Sequence, residues 1–384
     1  MKASRLLTLP PYLFEDLENR FRTARGEGRD VIDLSIGDPD LSPPKSLISH
    51  LETALRKDRH HRYPPQRGTA ALKDAVGRYL GRRAGLSPSE DEILILVGSK
   101  EGIAHLPLAI CNEGDLALIP DPGYPVYHSS ARFAGCAIGS FPLTERNGYR
   151  PDFADISKRD LTAARLLFLN YPNNPTSAAA SETVFHEALQ FGEKHGVVVV
   201  NDAAYADVYF EGGPAPLLSA QRGALEMPMI EFFSFSKTFC VTGWRVGFAV
   251  GNRDVIEALA HLKANIDSGV FGAIQEAVAR TLDTDGDEFT VTMRETFKER
   301  RDSAVRALDR LGFHCFPACA TFYVWAKVPR PFNAMDFALH LLEKADVLVT
   351  PGTGFGKGGE GYFRIALTQP KRRIEEALDR LGRL

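Results

Sequence analysis

Six runs of four or five almost wholly apolar residues recur at 93–97, 116–119, 166–169, 197–200, 230–233 and 246–250. None shows the in-and-out alternation of a half-exposed strand, and each is followed by a loop and then a stretch of helical spacing. Strands buried on both faces and separated by helices form a mostly parallel sheet with helices on either side, an α/β three-layer arrangement. The pattern constrains function too, because ligands of such sheets bind where the strands end at their carboxyl edge.

Further α/β structure flanks this block. An arm is expected at 1–14, where Pro10 and Pro11 resist helix and neighbouring aromatics need a host surface. A helix at 16–26 and a strand at 31–36 lead into the turn Gly37-Asp38-Pro39. Helices follow Ser42-Pro43-Pro44 and Gly68-Thr69, with a loop at 60–65 between them. Helical spacing resumes from 252 to 311. Strands at 321–326, 347–350 and 362–367, a helix at 333–344 and another from Pro370 then make a second, smaller α/β unit. The expected division is a large domain over 46–283 and a small one combining 15–45 with 284–384. The glycine-rich stretch 352–359 fits no phosphate-loop spacing and reads as a flexible connection.

A chain of 384 residues can bury a substantial core. A net charge of -3 with no basic tract gives nucleic acid no purchase. The first residues hold no long apolar segment, so neither a signal peptide nor a membrane helix is expected, and the cytoplasm is the expected location. Five cysteines without a C-x-x-C pair suit free thiols in a reducing compartment. Cys315 and Cys319 have no histidine cluster nearby, so they read as core packing and no metal is expected.

The distinctive polar residues fall just after the apolar runs. Gly98-Ser99 opens a helix whose free N–H groups suit a phosphate, and simple N-capping by Ser99 explains the segment equally well. Tyr124 stands in the rigid turn Pro120-Asp121-Pro122-Gly123-Tyr124, placed to lie on a planar ring. Asn174 sits in a turn of three asparagines and two prolines. Asp202 emerges from four valines and, once desolvated, calls for a cation. Ser234, Ser236 and Lys237 follow the fifth run, and Arg245 opens the sixth. One sheet edge therefore offers phosphate ligands (Ser99, Ser234, Ser236, Arg245), a stacking phenol (Tyr124), a carboxylate (Asp202), ring-oxygen donors (Asn174, Tyr205) and an amine (Lys237). Pyridoxal 5'-phosphate has a group to answer each: phosphate, aromatic ring, pyridinium, ring oxygen and aldehyde.

Asn174-Pro175-Thr176, Asp202-x-x-Tyr205 and Ser234-x-Ser236-Lys237 with Arg245, in this order and spacing, resemble the fold-type-I pyridoxal-phosphate aminotransferases of class I/II. Ser177 departs from that pattern, standing where glycine is usual. The resemblance implies that Lys237 binds the cofactor and carries the proton at Cα, with Asp202 and Tyr124 assisting the ring chemistry. It assigns Ser99, Lys100, Ser234, Ser236 and Arg245 to the phosphate end, and Asn174 and Tyr205 to the ring oxygen. Arg364 and Gly37 would take the substrate α-carboxylate, and Tyr12, Lys100 and Asn265 its distal end. Tyr63 would reach the phosphate of a neighbouring subunit, which implies a homodimer. The stretches 9–14, 36–40, 98–105 and 120–127 are most similar to the LL-diaminopimelate aminotransferases. They imply amino transfer between LL-2,6-diaminopimelate and 2-oxoglutarate. Another amino acid such as alanine, aspartate or glutamate, or a β-lyase acting on a cysteine conjugate, is the alternative.

Overall fold

The computed structural model describes residues 15–384 together with Ala3 and Leu6. Most of the arm expected at 1–14, Tyr12 included, lies outside the described residues. The strands are, in chain order, β1 (Ile32–Asp33), β2 (Ile93–Leu96), β3 (Leu116–Asp121), β4 (Ala137–Pro142), β5 (Ala164–Leu169), β6 (Val198–Asp202), β7 (Met229–Ser234), β8 (Gly247–Gly251), β9 (Tyr323–Lys327), β10 (Val347–Leu348), β11 (Thr350–Pro351) and β12 (Tyr362–Ala366).

The six apolar runs are β2, β3, β5, β6, β7 and β8 of one seven-stranded sheet, ordered β2-β8-β7-β6-β5-β3-β4. Only β8 runs antiparallel to its neighbours. The seventh strand, β4, lies on the sheet edge and alternates exposed and buried positions, so it lacks the apolar run that marks the others. Helices cover both faces. Leu72, Val76 and Val278 pack with β2 and β8 on one side, and Ile103, Tyr127, Ile256 and Leu259 with β3, β5 and β7 on the other. Glu231, the charge within the fifth run, is fully buried and accepts from Asn201 Nδ2 (2.7 Å), Leu218 N (3.0 Å), Ser219 N (2.9 Å) and Ser219 Oγ (2.6 Å). Four donors make the buried carboxylate tolerable.

The C-terminal unit pairs β1 with β10 in parallel and sets β11, β12 and β9 in an antiparallel sheet, backed by helices Gly286–Arg310, Ala334–Ala345 and Lys371–Leu381. The strand expected over 31–36 shrinks to two residues. Three successive carbonyls of its continuation accept from side chains instead: Ser35 O from Arg364 Nη2 (2.6 Å) and Thr350 Oγ1 (3.0 Å), Ile36 O from Thr368 Oγ1 (2.6 Å) and Gly37 O from Lys237 Nζ (2.6 Å). Cys319, expected in the core, is exposed, while Cys315 is half-buried.

The glycine-rich connection is not loose. It folds into two 3-10 turns, Gly352–Phe355 and Lys357–Gly359, which join β11 to β12 and grip the turn after β3 through Gly358 N to Asp121 Oδ1 (2.8 Å) and Gly123 N to Phe355 O (2.7 Å). Gly356 has φ 122°, and a Cβ there would stand 2.2 Å from Asp121 Oδ1. Gly356→Ala is therefore expected to lower stability by about 2–3 kcal/mol, with Lys357→Ala within about 0.5 kcal/mol of the parent, as urea unfolding would measure.

Candidate active site

The carboxyl ends of β5, β6 and β7 open into a cavity of about 520 Å³. The segment 35–37, Tyr323 of β9 and Arg364 of β12 close it from the C-terminal unit.

Ser99, Ser234, Ser236 and Arg245 all line this cavity. Gly98 (φ 74°), not Ser99, caps helix Ser99–Ile110, and it makes no side-chain cap bond. Ser99 is the first helical residue and lines the cavity, so the N-capping explanation falls. A Cβ on Gly98 would stand 2.3 Å from Arg245 Nη2, so glycine is what lets the guanidinium lie against the helix start. Arg245 does not open β8 as expected. It holds a left-handed turn (φ 55°) two residues before that strand, with Nη1 donating to Thr242 O (2.8 Å). Ser234 ends β7, Ser236 belongs to the short helix Phe235–Thr238, and the buried Ser236 Oγ has no hydrogen-bond partner among the described residues.

Lys237 follows in that helix. Burial pushes its amine down to about 8, helped by Arg364 and Arg245 and opposed by Asp38 and Cys240. Behind it, Thr238 Oγ1 donates to Asp207 Oδ2 (2.7 Å), while Tyr79 OH donates to Asp207 Oδ1 (2.7 Å) with Arg83 Nε 3.5 Å away. This buried anchor was not foreseen. Its only sequence signal is a charge inside the apolar stretch after Tyr205.

Asp202 ends β6, fully desolvated. Among the described residues its carboxylate accepts from Tyr127 OH (2.9 Å) and Ala204 N (3.3 Å), and burial raises it to about 6 against those two bonds. Among the described residues no cation pairs with it. Asn170, also unforeseen, donates from Nδ2 to Asp202 O (2.6 Å) and accepts Asn174 N at Oδ1 (2.8 Å). Asn174 Oδ1 in turn accepts from Arg364 Nη1 (2.6 Å). Arg364 is buried, its guanidinium 4.0 Å from the centroid of the Tyr323 ring and 4.8 Å from that of Phe355. Its Nε has no hydrogen-bond partner, and no carboxylate pairs with it among the described residues. Tyr205 OH lies 2.8 Å from Tyr323 OH, and burial keeps the Tyr205 and Tyr124 phenols well above their ordinary values, hence neutral. Lys100 lines the cavity with Nζ 5.8 Å from the centroid of the Tyr124 ring. Ser177 keeps the left-handed backbone (φ 63°) that a glycine would adopt.

Two candidates stand apart from this chain's cavity. Tyr63 is 88% exposed in the loop before helix Ala70–Ala84. Asn265 is exposed and caps helix Arg253–Ala264, with Nδ2 bonded to His261 O (2.9 Å).

The family described as aminotransferase class I and II matches residues 29–381. The chain belongs to the class I and II aminotransferases. It is 45% identical to an LL-diaminopimelate aminotransferase of Moorella thermoacetica, over 100% of this chain and 98% of that one. It is 44% identical to another of Natranaerobius thermophilus, over 99% and 98%. Among solved structures, substrate-bound BacF of Bacillus subtilis superposes with a TM-score of 0.94 at 34% identity, covering 100% of this chain and 97% of the other.

Aminotransferases of this family depend on pyridoxal 5'-phosphate, and the cavity fits that cofactor. Among the described residues Ser236 Oγ is unpartnered beside a cavity that Ser99, Ser234 and Arg245 also line, the desolvated Asp202 lacks a cation, and the lowered amine of Lys237 suits a carbonyl nucleophile.

Two pH dependences follow. Lys237 should react with a carbonyl reagent in the apoenzyme at a rate that rises with pH around a midpoint near 8, where an exposed lysine titrates near ~10.4. Mass spectrometry of the trapped peptide checks this. Asp202 has a raised folded value, so its burden is absent below the unfolded value of 3.8 and complete above about 6. Asp202→Asn apoenzyme should therefore be more stable than the parent above that range, by up to about 3 kcal/mol, and the two should converge in acid. Urea melts across pH measure the difference.

Proposed function

We propose that this aminotransferase moves an amino group between LL-2,6-diaminopimelate and 2-oxoglutarate, as the names of its relatives in Moorella and Natranaerobius suggest. The observation that carries the reading is Arg364, a buried guanidinium without a carboxylate of its own. A planar two-pronged donor left in that state calls for a carboxylate from the substrate. Lys100 supplies a second cation in the cavity wall. Both proposed substrates are dicarboxylates, which suits one positive anchor for each end.

In this reading Ser99, Ser234, Ser236 and Arg245 hold the cofactor phosphate, and Asp202 meets the pyridine nitrogen. Tyr124 would hold the ring, Asn174 and Tyr205 would hold the ring oxygen, and Lys237 would supply the covalent attachment. When bound, pyridoxal phosphate supplies a carbonyl carbon for amine exchange and a ring that accepts the electron pair left at Cα. The chain's own work is positional and protolytic. Arg364 and Gly37 fix the α-carboxylate and thereby aim the Cα–H bond. Lys237 Nζ, unprotonated above about 8, takes the proton from Cα. Tyr124 and Tyr205 stay neutral and can donate without adding charge.

The reading includes a homodimer. Tyr63, exposed and remote from its own cavity, would complete the phosphate site of the second subunit, and Asn265 and Tyr12 would face the distal end of the substrate there. The proposed division into a large domain at 46–283 and a small domain of 15–45 with 284–384 places the cavity on the seam.

A panel of amino donors with 2-oxoglutarate as acceptor tests the substrate. LL-2,6-diaminopimelate should exceed alanine, aspartate and glutamate in kcat/KM by about tenfold or more, a difference of ~1.4 kcal/mol in transition-state binding. Equal rates with any of these would overturn the assignment, and keto-acid-independent release of pyruvate from a cysteine conjugate would favour the lyase. Borohydride should fix the cofactor on Lys237, and Lys237→Ala should lose turnover. Light scattering should give twice the 42.3 kDa chain mass.

A further inference from the structure

Two residues with left-handed backbones meet close in sequence to Asn174 and Tyr323, which line the cavity. Ser177 (φ 63°) ends the turn that begins at Asn170, and Thr321 (φ 61°) leads into β9; both are wholly buried. That conformation costs a non-glycine residue about 1 kcal/mol or more, and a β-branched threonine is the harder case. Glycine would take either position without strain, so the two side chains need a compensating role.

Their hydroxyls show one. Ser177 Oγ donates to Tyr323 O (2.8 Å) and lies 2.8 Å from Thr321 Oγ1, which accepts from Tyr323 N (3.2 Å). A hydroxyl has a single hydrogen, and that of Ser177 is engaged by the carbonyl, so Thr321 is the donor between the two oxygens. The bonds close a ring. Tyr323 N–H donates to Thr321, Thr321 to Ser177, and Ser177 back to the Tyr323 carbonyl, each bond polarising the next.

We propose that this ring is a latch that positions Arg364, and with it the substrate α-carboxylate. The inference rests on the reading of Arg364 given above. Two walls of the Arg364 site meet at the latch. Asn174, three residues before Ser177, accepts from Arg364 Nη1 at 2.6 Å. Tyr323, whose backbone the latch holds at both ends, places its ring 4.0 Å from the guanidinium and its hydroxyl 2.8 Å from Tyr205 OH. Ser177 thus ties the turn of the seven-stranded sheet to the strand of the three-stranded one. The latch residues touch neither substrate nor cofactor in this reading; Ser177 and Thr321 are positioning residues.

Ser177→Gly is the direct test, because it relieves strain while removing the hydroxyl. The holoenzyme should show KM for amino donor and 2-oxoglutarate raised by about three- to tenfold, with kcat within about twofold and cofactor affinity unchanged. Backbone amides in 319–327 should exchange hydrogen faster. Thr321→Ser keeps the ring and should retain the parental KM. Thr321→Val added to Ser177→Gly should raise KM no further, since the two sites act as one. A lower Tm with parental KM would mean a merely structural role and would overturn the proposal. Arg364→Lys, measured in parallel, separates the failures. If it raises KM while Ser177→Gly does not, the latch alone is wrong; if it leaves KM unchanged, the carboxylate reading fails and the latch proposal with it.

Discussion

The structure depends on keeping two buried charges from neutralising each other. Among the described residues, Asp202 at the end of β6 has hydrogen bonds but no cation, and Arg364 in β12 has hydrogen bonds and aromatic faces but no carboxylate. Asn174 stands beside the guanidinium as a neutral acceptor, where an aspartate would have quenched it. Each charge is stabilised enough to exist and too little to be satisfied. The fold thereby carries an unmet electrostatic demand of one sign at each side of the cavity, which a cationic ring nitrogen and an anionic substrate can meet. Stability is forgone at these positions for a site prepared in advance.

The parallel sheet makes that separation possible. Its strand ends deliver side chains from distant parts of the sequence to one edge, so neighbouring residues need not share a strand. Lys237 illustrates the cost of such placement. An amine lowered to about 8 by burial needs a rigid base, and Asp207, with Tyr79 and Arg83 around it, holds Thr238 directly behind. The segment that carries Lys237 is therefore fixed from the core side and open on the cavity side.

Much of this was legible in the sequence because it is written in local patterns. Almost wholly apolar runs marked six of the seven central strands, and the residues just beyond them marked the cavity. What escaped depends on tertiary partners. The edge strand β4 is half-exposed and broken by Gly139 and Pro142. Tyr127, Tyr323 and Asp207 look like ordinary core or surface residues until a strand from elsewhere arrives beside them. The strand at 31–36 fails for the same reason, since its carbonyls are claimed by side chains up to some three hundred residues away.

The turns between β11 and β12 have a further consequence. A hairpin connection is normally where a chain gains or loses residues with little penalty. This one is wedged between the strand that carries Arg364 and the turn that carries Tyr124, with Gly358 and Phe355 bonded across the gap. It acts as a spacer of fixed gauge, setting the distance between the Tyr124 side of the cavity and the Arg364 side. Changes in substrate preference among related chains should accordingly accumulate in other loops, leaving the length of this one untouched.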